Sequence, residues 1–520
     1  MTPPSSILSK LRAFLWPIYG FELKKFMPMF FIYSLIAFVY SLLRTVKDPL
    51  VITAPDSGAI ALPFLKIWFI LPMAFAGTFL FTRLSNRYSR EKVFYIMISI
   101  FLVFFVVFAF VLYPFRDVLH PTALGNSLRA HSPKGLWGMI AVFQNWSFSL
   151  FYVMAELWGA IVMTVLFWAF ANEVTSVKDA RRFYGIYGLG ANIATTLVGI
   201  LPGYWLSSTM YKKLASYSHD DWGAKLMFIS IVIAIVGVIV IGLYHWLTHH
   251  IFRKEIVESR PFDETHSKKE KMSLRTNFAY LMKSKYLIYI AILVLGFNIS
   301  LTMIEVIWKD QIHKLFPNPT DFSNYNEQVA LYIGLTATVF SLFFCRQTIR
   351  LFGWSAGAYF TPIIIGVTGL LFFFFLLFEH TNLVLTVATF LGTTPLAIAV
   401  FWGTLNNTFS RASKFTFFDV TKEMAFIPLP AEAKLKGKAA IDGIGSRLGK
   451  TGGSVIHNVL LVSFSTLAFS APFIALILCG VVAAWIAAVR ALGKQFRELS
   501  EDEGTPSAPA APLKEKVSTV

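Results

Sequence analysis

Apolar runs of bilayer-spanning length, separated by short polar loops, recur from residue 27 to residue 491. About twenty apolar residues in helical form cross a hydrocarbon layer of about 30 Å. With no water in that layer, each backbone N–H and C=O has to be satisfied within its own helix, so the pattern predicts an all-α polytopic membrane protein. Six spans are expected at about 27–47, 61–83, 92–113, 142–171, 181–207 and 224–247, and six more at about 286–308, 328–349, 355–378, 382–409, 437–465 and 469–491. The chain then divides into an interfacial N-terminus at 1–26, a six-helix bundle at 27–248, a polar linker at 249–285, a second six-helix bundle at 286–493 and a disordered tail at 494–520. In the first segment Leu8, Leu11, Phe14 and Leu15 recur at helical spacing around Lys10 and Arg12, with no small-residue cleavage site after a short apolar core.

The two halves resemble each other. Leu42-Leu-Arg-Thr-Val-Lys-Asp48 ends the first span, and Met303-Ile-Glu-Val-Ile-Trp-Lys-Asp310 ends the seventh, so both open with an apolar helix that closes on a Lys-Asp pair. Phe167-Trp168 with Asn172 recurs as Phe401-Trp402 with Asn406, and basic loops follow the second helix of each half at Arg83–Lys92 and Arg346–Arg350. Parallel six-helix repeats around a central site are the arrangement of major-facilitator transporters. Chance similarity between apolar helices is the competing reading.

Lys and Arg set the expected orientation. One set of loops holds Lys24 and Lys25, Arg83 to Lys92, Lys178 to Arg182, the linker, Arg346 and Arg350, the group Arg411, Lys414 and Lys422, and finally Lys494 and Arg497. The alternate set is poor in such residues, which puts both termini and the linker in the cytoplasm. Composition adds little else. The formal charge of +17 is spread through loops rather than gathered in one soluble domain, which argues against nucleic acid as a partner. Cys345 and Cys479 lie in apolar runs, and His249 and His250 are adjacent in what reads as a basic loop, so no disulfide, metal or cofactor is expected.

The informative residues are charges within the spans, because one at mid-membrane costs about 2.5–3.5 kcal/mol or more and so faces a cavity or a partner. Glu156 lies deep in the fourth span on a face with Asn145, Ser149, Tyr152 and Gly159. Glu305 shares a face with Asn298, Thr302 and Lys309, and the first span carries Tyr33, Tyr40, Arg44 and Lys47. Gly188, Asn192 and Thr195 continue the pattern in the fifth. Glu156 and Glu305 could alternatively each serve in a purely structural buried ion pair with a basic residue, and Arg44 and Lys47, near a helix end, could snorkel to the interface. Gly443 to Gly453 ends in Gly449-Lys450-Thr451 like a phosphate loop. Ile444 stands where such a loop needs glycine, however, and no strand precedes it. Two readings survive: Arg447 and Lys450 hold a polyanion, or the glycines pack against a neighbouring helix.

At these residues the chain resembles the nucleotide transporter family of ATP/ADP translocases, found in plastids and in obligate intracellular bacteria such as chlamydiae and rickettsiae. The segments that carry the resemblance are Leu43 to Asp48, Phe151 to Gly159, Ile304 to Lys309, Thr421 to Pro428, Gly437 to Asp442 and Leu448 to Gly453. The resemblance implies that Lys47, Glu156, Glu305 and Lys450 are functionally important; their positions on the same faces add Arg44, Arg447 and Asn298 to a nucleotide site, with Tyr40 or Tyr152 as the face for the base. It also implies import of ATP in exchange for ADP by a multi-pass protein, expected as a monomer, in the inner membrane of an intracellular bacterium. Thr45 stands where the family pattern has an acidic residue, which leaves other nucleoside triphosphates, phosphate and proton coupling open. A carrier of another organic anion and a polytopic membrane enzyme are the readings from outside that family.

Overall fold

The computed structural model describes residues 18–175, 177–205, 207–252, 284–430, 437–438, 441 and 445–504. Residues 1–17 of the interfacial segment, most of the linker and the last residues of the tail lie outside them. Among the described residues there is no strand, and ten helices are long and apolar enough to cross a membrane, or eleven if one sharply bent pair is counted as a span. The chain is a multi-pass helical membrane protein.

The first six helices are α1 (Leu23–Ile52), α2 (Ala61–Arg87), α3 (Arg90–Leu112), α4 (Trp146–Asn172), α5 (Val177–Ile200) and α6 (Asp221–His250). The second six are α7 (Lys285–Leu315), α8 (Pro319–Phe344), α9 (Gln347–Leu377), α10 (Pro395–Phe426), α11 (Ser446–Phe464) and α12 (Leu467–Gly504). Helix α10 is the longer arm of the bent pair, turned 82° from Asn382–Phe390. Helix α11 occupies the place of the eleventh expected span but is not among the ten, being the glycine- and serine-bearing helix that carries Arg447 and Lys450. Helix α9 is kinked at Gly353, whose φ of 82° is readily available only to glycine and turns the chain there.

Contacts between the sets are reciprocal. Helix α2 packs against α11 and α5 against α8, so the second helix of each set meets the fifth of the other. A two-fold relation between parallel repeats produces that pairing. On the side away from the linker the sets approach closely: a Cβ on Gly135, in the loop before α4, would stand 2.6 Å from the Leu461 carbonyl oxygen of α11. Towards the linker, α2 buries no side chain from Leu71 to Arg87. This conformation is closed on the side opposite the linker.

Several elements differ from expectation, each for an identifiable reason. Helix α1 runs five residues beyond Lys47, where Lys47 and Asp48 neutralise each other, so neither Arg44 nor Lys47 sits at its end. The fourth expected span is broken at Asn145. Its side-chain amide donates to the Pro55 and Ala141 carbonyls, and Ser149 donates to that of Val142, so these two polar residues stitch the break rather than line a cavity. Tyr33 is likewise core, stacked among Phe167, Trp168 and Tyr187. Arg411, Lys414 and Lys422, assigned above to a loop, lie within α10, and His249 and His250 lie in the last turn of α6. Helix α12 continues to Gly504, past the expected start of the tail.

The glycines of α11 do pack against a neighbour. A Cβ on Gly449 would lie 2.8 Å from that of Asn298, and one on Gly453 would lie 2.8 Å from that of Thr302, both on α7. Four residues apart, Gly449 and Gly453 give the close helix approach of a small-xxx-small pair. At Gly452 the nearest atom to an added Cβ is Ile299 Cγ1 at 4.0 Å. Gly453→Val should therefore cost about 1–3 kcal/mol of stability through overpacking, with the neighbouring Gly452→Val much milder; thermal unfolding in detergent compares them, and equal effects would refute this packing.

Candidate functional site

A chain of alternating charges runs through the centre of the protein. The Glu156 carboxylate of α4 lies 3.0 Å from the Lys47 ammonium of α1, which also contacts Asp48 at 3.0 Å. Asp48 reaches Lys309 of α7 at 2.9 Å, and Lys309 reaches Glu305, one turn back on the same helix, at 2.9 Å. Glu305 then takes Arg411 of α10 at 2.8 Å and Lys66 of α2 at 3.3 Å. Two links cross between the sets of helices: Lys309 to Asp48, and Lys66 to Glu305.

Local sequence makes these positions possible. Glu305 and Lys309 are four apart, the spacing that stacks side chains on a helix face. Lys66 opens a π-helical stretch, Lys66–Ile70, and α4 and α10 carry such stretches at Trp158–Leu166 and Lys414–Phe418, shortly after Glu156 and Arg411. Such bulges shift the register of a helix face locally. Pro49 follows Asp48 inside α1 and has no N–H for the carbonyl of Thr45, the residue four back. Asn326 of α8 donates to that carbonyl at 3.3 Å, so a proline in one set creates a polar tie to the other.

Beside the chain lies a narrow cleft, partly open to solvent, lined by Arg44, Asp48, Glu305, Lys309 and Arg411 together with Asn326 and Asn407. Arg44 is half-buried, with its guanidinium 5.8 Å from the Tyr40 ring centre, and no carboxylate of the described residues comes within ion-pair distance of it. Lys450 of α11 is exposed, also without such a carboxylate, but near enough to Glu156 for the two to interact electrostatically. Six cations, Arg44, Lys47, Lys66, Lys309, Arg411 and Lys450, thus face three carboxylates, Asp48, Glu156 and Glu305. An excess of three positive charges suits a ligand bearing several negative ones.

The residues singled out from sequence separate into two groups. Lys47, Glu156, Glu305 and Arg44 meet at the centre. Tyr152 lies there too, but it is buried and its ring face is covered by the Lys47 ammonium at 3.9 Å. Lys450 approaches from the other set, presented by a helix whose glycines bind α7. Arg447 is exposed and sits 5.6 Å from the Phe75 ring of α2, apart from the chain of charges. Asn298 is not part of the chain either: it is buried, gives its amide N–H to the Val294 carbonyl at 2.8 Å and packs on Gly449. Glu156 and Glu305 each take cations. Sequence reasoning passed over Asp48, Lys66 and Arg411 as site residues. The signal that marked Glu156, a charge in an apolar run, was present at Lys66 as well, whereas Arg411 was hidden by Lys414 and Lys422, which made its neighbourhood look like a loop.

Comparison with known proteins identifies the family. The sequence profile described as "TLC ATP/ADP transporter" matches residues 2–496. ADP,ATP carrier protein 1 of Chlamydia muridarum is 39% identical over 517 residues, covering 98% of this chain and 97% of the relative. The chloroplastic ADP,ATP carrier protein 2 of Arabidopsis thaliana is 39% identical over 493 residues, covering 94% of this chain and 77% of the relative. Among solved structures, a mutant of the nucleoside transporter NupG aligns with 91% of this chain and all of its own at 13% identity, with a TM-score of 0.45. A profile matched over nearly the whole length and relatives of this identity place the chain in the family of TLC ATP/ADP transporters.

Proposed function

We propose that the protein exchanges nucleotides across a membrane, importing ATP against ADP, and that the central charges bind the phosphates. The observation that carries this reading is the charge chain itself, in which Glu156, Asp48 and Glu305 occupy cations that project from both sets of helices. ADP and ATP carry about three and four negative charges at neutral pH, close to the excess of the site. The printed names of the relatives, ADP,ATP carrier proteins, support the same substrates.

In the empty site the carboxylates stand where phosphates would. Removing one partner of a buried ion pair costs about 3–5 kcal/mol, whereas replacing it with another anion leaves the cations satisfied. A nucleotide that takes over Lys66, Lys309 and Arg411 from Glu305 and Asp48 therefore releases the links between the sets and allows them to rock. Reopening on the far side requires a further step. There Lys225 of α6 and Glu327 of α8, both buried, pair at 2.8 Å across the sets, and Lys225 also donates to Asn324 at 2.8 Å. This pair acts as a latch that holds the far side shut. Orientation follows the Lys and Arg distribution, with the linker and termini cytoplasmic in a bacterial inner membrane.

Labelled ATP uptake into vesicles preloaded with ADP, phosphate or sugar phosphates tests the reading: ADP should drive uptake best, and equal uptake from sugar-phosphate-loaded vesicles would contradict it. Lys47 and Lys450 flank Glu156 from opposite sets, so Lys47→Ala and Lys450→Ala should each weaken ATP binding roughly ten- to hundredfold, from about 1.5–3 kcal/mol per charged hydrogen bond, and should harm ATP more than AMP. Affinity ratios at matched protein level decide this; ratios unchanged in both variants would rule out a two-sided phosphate clamp. For the latch, Lys225→Glu should slow exchange at least about tenfold, and adding Glu327→Lys should restore most of it. Exchange at the wild-type rate in the single variant would exclude the latch.

A further inference from the structure

We propose that Glu91, His245 and His249 form a binding site for a divalent transition-metal ion of the zinc type, at the linker-side ends of α3 and α6. Glu91 lies in the first turn of α3, and His245 and His249 are one turn apart near the end of α6. One ligand atom from each lies within 4.8 Å of the other two. Histidines at i and i+4 on one helix face are a recurrent metal-binding spacing, and a carboxylate from a second helix completes a three-ligand set of the His2Glu type.

The spacing of the ligand atoms is that of a set gathered around one ion, although His245 also makes a long hydrogen bond to Glu91. The Nδ1 atoms of His245 and His249 stand 3.3 and 3.5 Å from the same Glu91 oxygen. A charge-assisted hydrogen bond is shorter, about 2.7–2.9 Å. Ligand atoms bound at about 2.0–2.2 Å around a tetrahedral ion stand about 3.3–3.6 Å apart. The two imidazoles also lie with centroids only 4.1 Å apart, a close approach for two groups that would repel if both were protonated. Around them Tyr95 donates to Glu91 and lies 3.0 Å from His245 Nδ1, while His249 Nδ1 donates to the His245 carbonyl at 3.0 Å, a hydrogen bond that an ion bound at that nitrogen replaces. A Tyr hydroxyl on the carboxylate is the kind of outer contact that orients a ligand.

Both histidines are exposed, so an ion can enter without local unfolding. Helices α3 and α6 pack together within the first set. A bound ion would staple that set rather than lock the two together, and the expected consequence is a more stable protein through preferential binding to the folded state. Affinity should fall on acidification, since histidine ligates only when neutral.

The test is titration of chelator-treated, full-length protein in detergent, without a polyhistidine tag, with Zn²⁺ and with Co²⁺. Expected are one saturable site, a raised unfolding temperature and the intense visible bands of low-coordinate Co²⁺. His245→Ala and Glu91→Gln should each weaken binding at least tenfold, while nucleotide binding, measured alongside, stays at the wild-type level and reports intact folding. Absence of a saturable site in the unaltered protein, or equal binding by the variants, would overturn the proposal.

Discussion

A cation held away from water needs an anion beside it, and the centre of this protein is organised by that requirement. Asp48, Glu156 and Glu305 satisfy Lys47, Lys66, Lys309 and Arg411 in one connected chain. Because its members come from α1, α2, α4, α7 and α10, the same ion pairs that solve the solvation problem also tie the two sets of helices together. A ligand that brings its own negative charge alters the solution, and with it the tie. Recognition and conformational change are in this sense one interaction.

The surrounding fold supports that chemistry at a few points. Pro49 leaves the Thr45 carbonyl without its helical donor, and Asn326 from the other set supplies one. Gly449 and Gly453 let α11 lie directly on α7, so Lys450 is held at a fixed place on the opposite face. Gly135 allows the loop before α4 to close over the end of α11 on the side away from the linker. Gly135 and Pro49 serve contacts between the two sets, and the glycines of α11 serve close packing within the second.

Much of this was legible in the sequence, for physical reasons. Hydrocarbon enforces helices, so the apolar runs located the helices, though α10, expected at 382–409, is broken before Pro395 and runs on to Phe426, and the expense of buried charge marked Glu156, Glu305 and Lys47 without any structure. Legibility failed where tertiary contacts change the meaning of a residue. Asn298 shares a face with Glu305, yet its amide is used within its own helix and its side chain packs on Gly449. Arg411 looked like a loop residue until Glu305 accounted for it. Asn145 looked like a cavity residue, but it serves a helix break that periodicity alone does not reveal. His245 and His249 were a turn of helix apart all along, although only folding brings Glu91 to them.

The central claim is that Glu305 and its cationic partners keep the empty carrier from reorienting, so that only a nucleotide-loaded protein crosses. Net uptake of labelled ATP into liposomes that contain purified protein but no internal nucleotide measures this directly. The wild type should show almost no net uptake, and Glu305→Gln, which leaves Lys66, Lys309 and Arg411 without their shared anion, should admit ATP into empty liposomes. Exchange at the wild-type rate with no net uptake by Glu305→Gln would contradict the account.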